Sequence, residues 1–333
     1  MGNIHIEKLA LKILQEILLY RRRFPEPEAQ IEDEEKLIID VQLPRICEFI
    51  KNDQRIEFIL PAFPVKSPNI NKVIGKLPDM AEKISLIFLD SLCKRIQLYY
   101  SPGAHIIICA DGHVFGDVIR VTDEVIHNYQ CGMRNLLHEL GITHLSLFNL
   151  GNIEELAGHA NDYDRLRSLL VDSYVEPEEK IKARLMQDAQ GLQLYRAVTR
   201  FLFEDNQSSV YNGSNAALQK DAKRRACNLI QRSLAWGNLL AQHFPMAIRL
   251  SIHPQPADSL KIGIHMIATK DNWLTPWHGV AVNINGQFVL MKRKKAEELN
   301  GTLVMIRGTP SHYLIINSAM ASVTPDKGVG YYT

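Results

Sequence analysis

The run Ala104–Ala110 (AHIIICA) is apolar at almost every position, and turn residues close it on both sides, Ser101-Pro102-Gly103 before and Asp111-Gly112 after. A half-exposed strand alternates apolar and polar residues, whereas a continuous apolar run needs cover on both faces. That is the situation of a strand inside a parallel sheet with helices above and below. The upstream segments agree. Arg55–Leu60 is a second short apolar strand ending at Pro61. From Pro78 to Tyr99 the chain carries helix punctuation: Pro78 early, Asp79 and Glu82 in the first turn, and Ile84, Ile87, Phe88 and Leu92 on one face. This strand–loop–helix–strand order predicts an α/β fold, Rossmann-like, with a mostly parallel or mixed sheet flanked by helices.

Residues 1–52 read as an N-terminal helical segment. Ile4–Tyr20 repeats apolar residues at helical spacing, and Arg21, Arg22 and Arg23 follow as a solvated helix end. Pro25 through Glu35 reads as an acidic linker, and Leu37–Lys51 as a second helix broken at Pro44. Residues 53–333 read as one α/β catalytic domain. Its region 123–243 is mainly helical (Asp123–Leu140, Asn152–Glu204, Ala216–His243), an insertion or a layer over the sheet, with a polar loop at Asn206–Asn215. The remainder is strand-dense. Ala247–Ile252 and Lys261–Ile267 alternate, and Asn285-Gly286 joins His278–Ile284 to Gln287–Lys292 as a type I′ hairpin. Leu303–Arg307 and His312–Ile316 add two strands, and the tail after Ser318 is polar and small.

Apolar residues at 46% and charged residues at 23% exclude disordered and fibrous classes. Lys+Arg is 38 and Asp+Glu is 37, a net charge of +1, which gives no electrostatic case for nucleic acid or an anionic membrane surface. The five cysteines are scattered without a CxxC pair, as expected in a reducing compartment. No signal peptide or apolar membrane span is read, and Ile6 stands where a myristoylation signal needs Ser or Thr, so the expected location is cytoplasmic. Phosphate-loop, dinucleotide and nucleophile-elbow motifs are missing. His138-Glu139 with His144 fails as a zinc helix, because residues six apart do not share a helix face. His253 and His265 have no close acidic or thiol ligand in the sequence, so no metal and no cofactor are expected.

Four constellations remain. The first is the proline-stiffened loop 61–79 after the first strand. It carries Lys66, Ser67, Asn69 and Lys72, which could hold an anion at a sheet edge or simply face solvent. The second follows the buried strand: Asp111, His113 and Asp117 could share acid–base work, although Asp-Gly is also ordinary turn chemistry. In the third, alternation puts Arg249, Ser251 and His253 on one face, and Lys261 begins the next strand. That face either lines a pocket or meets solvent. The fourth is Trp277 beside His278, where the indole could stack on an aromatic ligand or close the hairpin core.

Together the blocks PAFPVKSPN (61–69), KVIGKLPD (72–79), PGAHIIICADGHVFGD (102–117), RLSIHP (249–254) and TPWHG (275–279) resemble the pyoverdine/dityrosine biosynthesis family. That family includes the isocyanide (isonitrile) synthases of the PvcA/IsnA type. The resemblance implies a cofactor-free reaction that turns the α-amine of tyrosine or tryptophan into an isonitrile, with C2 of ribulose 5-phosphate as the carbon source. Imine formation, proton abstraction, loss of phosphate and carbon–carbon cleavage would follow in order. It also implies an iron/2-oxoglutarate oxygenase as pathway partner. On this reading Lys66, Lys72, Arg249 and Lys261 cradle the phosphate. Ser67, Asn69, Ser251 and His278 add contacts to substrate. Asp111, His113, Asp117 and His253 are the acids and bases, and Trp277 or Phe115 stacks on the aromatic ring. A related enzyme making an N-formyl-type tyrosine product, and a binding module without turnover, are the alternatives.

Overall fold

The computed structural model describes residues 3–24, 31–153, 162–187, 189–207, 211–269 and 274–316. Linker residues 25–30, loop residues 208–210 and the tail after Ser318 lie outside the described residues. Five strands, β1 (Ile56–Pro61), β2 (Ala104–Ala110), β3 (Leu145–Asn149), β4 (Ile248–Ser251) and β5 (Lys261–Gly263), form one sheet in the order β3-β2-β1-β4-β5. Every neighbouring pair is parallel. The helices are α1 (Asn3–Leu18), α2 (Ile31–Lys51), α3 (Met80–Gln97), α4 (Gly112–Ile119), α5 (Asp123–Glu139), α6 (Tyr163–Tyr174), α7 (Glu178–Leu185), α8 (Ala189–Asn206), α9 (Asn215–His243) and α10 (Arg293–Glu298).

The apolar run of β2 is covered on both sides. Ile106 and Ile108 join Phe58 and Leu60 in a core with α1, α2, α3 and α5. Cys109 and Ile59 face the other way, into a core with α6 and α9 centred on Trp236. A capping box at Asp79 and Glu82 starts α3, as the sequence indicates.

Four features depart from the sequence reading. The helix α2 begins at Ile31, inside the expected linker, and runs through Pro44 without a break. Pro44 removes one intrahelical hydrogen bond, but Ile38, Ile46, Phe49 and Ile50 are buried in the main core and hold the helix across it. The strand β3 lies inside the region read as helical, so 123–243 supplies an edge strand of the sheet as well as α5 to α9. The C-terminal strands form a sheet of their own, with β6 (Val280–Ile284), β7 (Gln287–Met291), β8 (Thr302–Ile306) and β9 (Thr309–Ile315) in the order β7-β6-β9-β8. The expected hairpin is its β6–β7 pair, turning at Asn285-Gly286, both at positive φ.

The fourth departure positions the site. Asp111-Gly112 is not a turn; it opens α4 directly from β2. Gly112 is required there, because a Cβ would stand 2.2 Å from the Pro64 carbonyl oxygen and 2.7 Å from the Ile126 side chain. Gly112→Ala is therefore expected to lower the urea midpoint by an amount equivalent to about 1–3 kcal/mol, the range of overpacking. An unchanged midpoint would mean that the loop and α4 part easily.

Candidate active site

The C-terminal ends of β1, β2 and β4 open on a cavity of about 310 Å³, the crevice in which α/β sheets bind ligands. The far wall comes from α8 and α9, which contribute Phe201 and Trp236, and Phe115 projects from α4. Arg249 and Ser251 face this space from β4, and the β4–β5 register sets Arg249 directly beside Lys261. Burial, and then the charge of Arg249, hold the Lys261 amine below its ordinary pKa. Burial and Arg45 do the same to Arg249, whose guanidinium donates to the Gly237 carbonyl at 3.1 Å. Among the described residues neither Arg249 nor Lys261 has a carboxylate partner.

Just past β4, His253 lies in the same cavity. Burial, followed by the charges of Arg22, Lys261 and His278, pushes its pKa down to about 4, so the imidazole is neutral at physiological pH. The Ser251 hydroxyl accepts from the His253 N–H at 3.1 Å and from Gln255 at 3.2 Å, and so fixes the turn that presents His253.

Asp111 lines the cavity at the end of β2. It occupies the N-cap position of α4, yet its side chain caps nothing and Oδ1 is sealed without a partner. Burial raises its pKa to about 7. The expected partnership with His113 and Asp117 is not formed. His113 is not part of the cavity lining; it pairs with Asp123 at 2.9 Å and stacks on Tyr163 at 3.6 Å. Burial holds it below its ordinary pKa even beside Asp123. Asp117 is half exposed and gripped by Arg232 from α9 and Arg167 from α6. Helical rotation separates the three: Asp111, Phe115 and Ile119, successive turns on one face, line the cavity, and His113 and Asp117 do not.

The loop residues are also redeployed. Lys66 is fully buried, and its amine meets Asp79 at 2.9 Å, Glu82 at 2.7 Å and the Pro276 carbonyl at 3.1 Å. Lys72 pairs with Asp205 at 2.6 Å, Ser67 donates to Asp205 at 2.8 Å, and Asn69 donates to the Glu204 carbonyl at 2.7 Å. These groups bind the loop to α3 and α8; Lys66 and Ser67 also line the cavity, whereas Asn69 and Lys72 do not. Trp277 is buried against Phe63 and still lines the cavity. His278 lines it too, with Nδ1 near the Thr275 hydroxyl at 3.1 Å and Nε2 3.6 Å from Asp205. Burial alone would raise the Asp205 carboxyl, but His278 and Lys72 hold it well below the usual range.

Sequence reasoning missed Arg22, Phe201, Asp205 and Trp236. Phe201 and Asp205 share one face of α8 at i, i+4, a spacing visible in the sequence but common to every amphipathic helix. Arg22 carries no such signal. Among the described residues no group of three or more His, Cys, Asp and Glu side chains could hold a metal, and no helix is long and apolar enough to cross a membrane.

The family model described as pyoverdine/dityrosine biosynthesis protein matches residues 46–304. A protein of Xenorhabdus nematophila named L-tyrosine isonitrile synthase is 62% identical over 315 residues, 95% of this chain and 94% of that one. One of the same name from Pseudomonas aeruginosa is 55% identical over 92% of this chain and 94% of its own. An L-tryptophan isonitrile synthase of Fischerella ambigua is 40% identical, with coverage of 95% and 98%. The crystal structure of PvcA from Pseudomonas aeruginosa superposes with a TM-score of 0.89 at 56% identity, covering 92% of this chain and 99% of that one.

Proposed function

The chain belongs to the pyoverdine/dityrosine biosynthesis family and is an isonitrile (isocyanide) synthase, and from that premise we propose the substrates and chemistry of its cavity. It converts the α-amine of L-tyrosine into an isonitrile, takes the added carbon from C2 of ribulose 5-phosphate, and serves secondary-metabolite biosynthesis. Tyrosine is favoured because the relatives named for it are 62% and 55% identical, whereas those named for tryptophan are 40% identical. An oxygenase is the class of enzyme that would consume the product.

One observation carries the reading. The cavity joins two cations without carboxylate partners, a carboxyl poised near neutrality and an aromatic wall. Arg249 and Lys261 hold the phosphate, where charge-assisted hydrogen bonds are strongest. Phe115, Phe201 and Trp277 flank the aromatic side chain. With a pKa of about 7, Asp111 is populated both as acid and as base at neutral pH. As an acid it protonates the carbinolamine oxygen that leaves as water when the amine condenses on the ketone. The neutral imidazole of His253 accepts the carbon-bound proton that the resulting imine makes labile.

The test is incubation of the purified protein with ribulose 5-phosphate and either L-tyrosine or L-tryptophan, read by mass spectrometry and infrared absorption. The expected product is tyrosine with two amine hydrogens replaced by one carbon, showing an isonitrile stretch. An N-formyl product would replace this reading with the related chemistry. Tight binding of both compounds without turnover would favour a binding module.

A further inference from the structure

We infer that Ser233, on α9, receives the phenol hydroxyl of the amino-acid substrate and so selects tyrosine over phenylalanine. The inference rests on the tyrosine reading of the substrate. Four side chains lining the cavity carry a hydroxyl: Ser67, Ser233, Ser251 and Thr275. Three of them are engaged by the protein. Ser67 donates to Asp205, Ser251 accepts from the His253 N–H and from Gln255, and Thr275 meets Nδ1 of His278. Among the described residues, Ser233 alone of the four has no hydrogen-bond partner.

The helix puts that hydroxyl along the path of an aromatic ring. Leu229, Ser233 and Gly237 line the cavity from successive turns of α9, about 6 Å apart along its axis. The Gly237 carbonyl accepts from Arg249 at 3.1 Å, so the row starts at the cationic end of the cavity. Ser233 lies one turn from that end and Leu229 two. Leu229 packs with Ile119, Val198 and Phe201, which also line the cavity, against the apolar core of α7, α8 and α9. The Arg232 guanidinium donates to the Val114 carbonyl at 3.1 Å, which fixes α9 against α4. The next residue on each helix, Ser233 and Phe115, lines the cavity. The charged groups of the substrates belong at the sheet edge with Arg249, Lys261 and Asp111, and the ring is left the apolar end. A phenol hydroxyl there gives up water and needs a partner. The carboxylate that α8 contributes, Asp205, is taken by Lys72, Ser67 and His278, and the Trp236 indole N–H is sealed. Ser233 can both donate to a phenol and accept from it.

The experiment is steady-state kinetics of the full chain on L-tyrosine and L-phenylalanine, for wild type, Ser233→Ala and Ser233→Thr. Wild type is expected to prefer tyrosine. In Ser233→Ala, kcat/KM for tyrosine is expected to fall about 3- to 10-fold, the loss of one neutral hydrogen bond, with kcat/KM for phenylalanine nearly unchanged. Ser233→Thr keeps the hydroxyl and is expected to keep the preference. An equal fall for both substrates in Ser233→Ala would mean that Ser233 only shapes the cavity, and overturns the inference. So does an unchanged ratio in Ser233→Ala, a ratio that collapses equally in Ser233→Thr, or a wild type without preference. If the wild type makes no product from tyrosine, the tyrosine reading has failed. In that case, or where phenylalanine turns over too slowly to read, both amino acids are titrated calorimetrically into wild type and Ser233→Ala. Weaker tyrosine binding to the variant, with phenylalanine binding unchanged, upholds Ser233 as the phenol's partner, and any other result overturns it.

Discussion

Asp111→Asn is expected to lower kcat by about 100- to 10,000-fold, the usual loss when a positioned acid–base group is removed, while making the protein more stable at alkaline pH. The two effects share one cause. Burial holds the Asp111 pKa at about 7, against an ordinary value of 3.8. Between those values the folded chain keeps a proton that the unfolded chain has released. Stability contributed by this group is therefore greatest below the ordinary carboxylate range and falls as pH rises towards 7. Above pH 7 the native protein carries a buried carboxylate whose Oδ1 has no partner, and asparagine removes that charge. Melting temperatures should converge below the ordinary carboxylate range and diverge above neutrality, with the variant the higher. In the wild type, kcat/KM should show a titration near 7 that the variant lacks. Full turnover in Asp111→Asn, or a variant that melts lower at every pH, would remove Asp111 from the mechanism.

Asp111 also marks how much of the site the sequence discloses. The central strand was legible because AHIIICA has a single physical solution, cover on both faces. Arg249 and Ser251 were legible because a period of two assigns them a common face, and the cavity occupies that face. His113 and Asp117 misled because their grouping assumed a loop after Asp111. Gly112 fits so closely against Pro64 that the chain coils at once, and helical rotation turns both residues away. The strand β3, LSLFN, is short and carries two polar residues, Ser146 and Asn149, and pairing with β2 creates it. Arg22 is placed by backbone hydrogen bonds to a strand more than two hundred residues away, which leave no mark on local sequence. The lysines of the loop were read as free cations because Glu82 and Asp205 lie on other elements and Asp79, at the far end of the loop, is brought to Lys66 only by the fold.

Lys66 shows what such partners mean for the fold. Lys66→Met is expected to cost about 3–5 kcal/mol, the penalty for stranding a buried charge, measured by urea denaturation at neutral pH. Its amine is the cation shared by Asp79, the N-cap of α3, and Glu82, which also accepts from the Tyr129 hydroxyl at 3.0 Å. Burial draws the Lys66 pKa down, but the two carboxylates outweigh it and leave the amine firmly protonated. Without that cation, Glu82, which burial already pushes up to about 7, must remain protonated or leave its site. The double variant Lys66→Met, Glu82→Gln removes one charge of each sign and keeps an acceptor for Tyr129. It should recover part of the loss, the share that belongs to Glu82, while Asp79 remains without its cation. Its KM for ribulose 5-phosphate should stay within about threefold of wild type, because the amine is wholly engaged by protein. Failure of the double variant to recover any stability would mean that Lys66 acts through Asp79 and its Pro276 contact. A large rise in that KM would return Lys66 to the phosphate cradle that the sequence suggested.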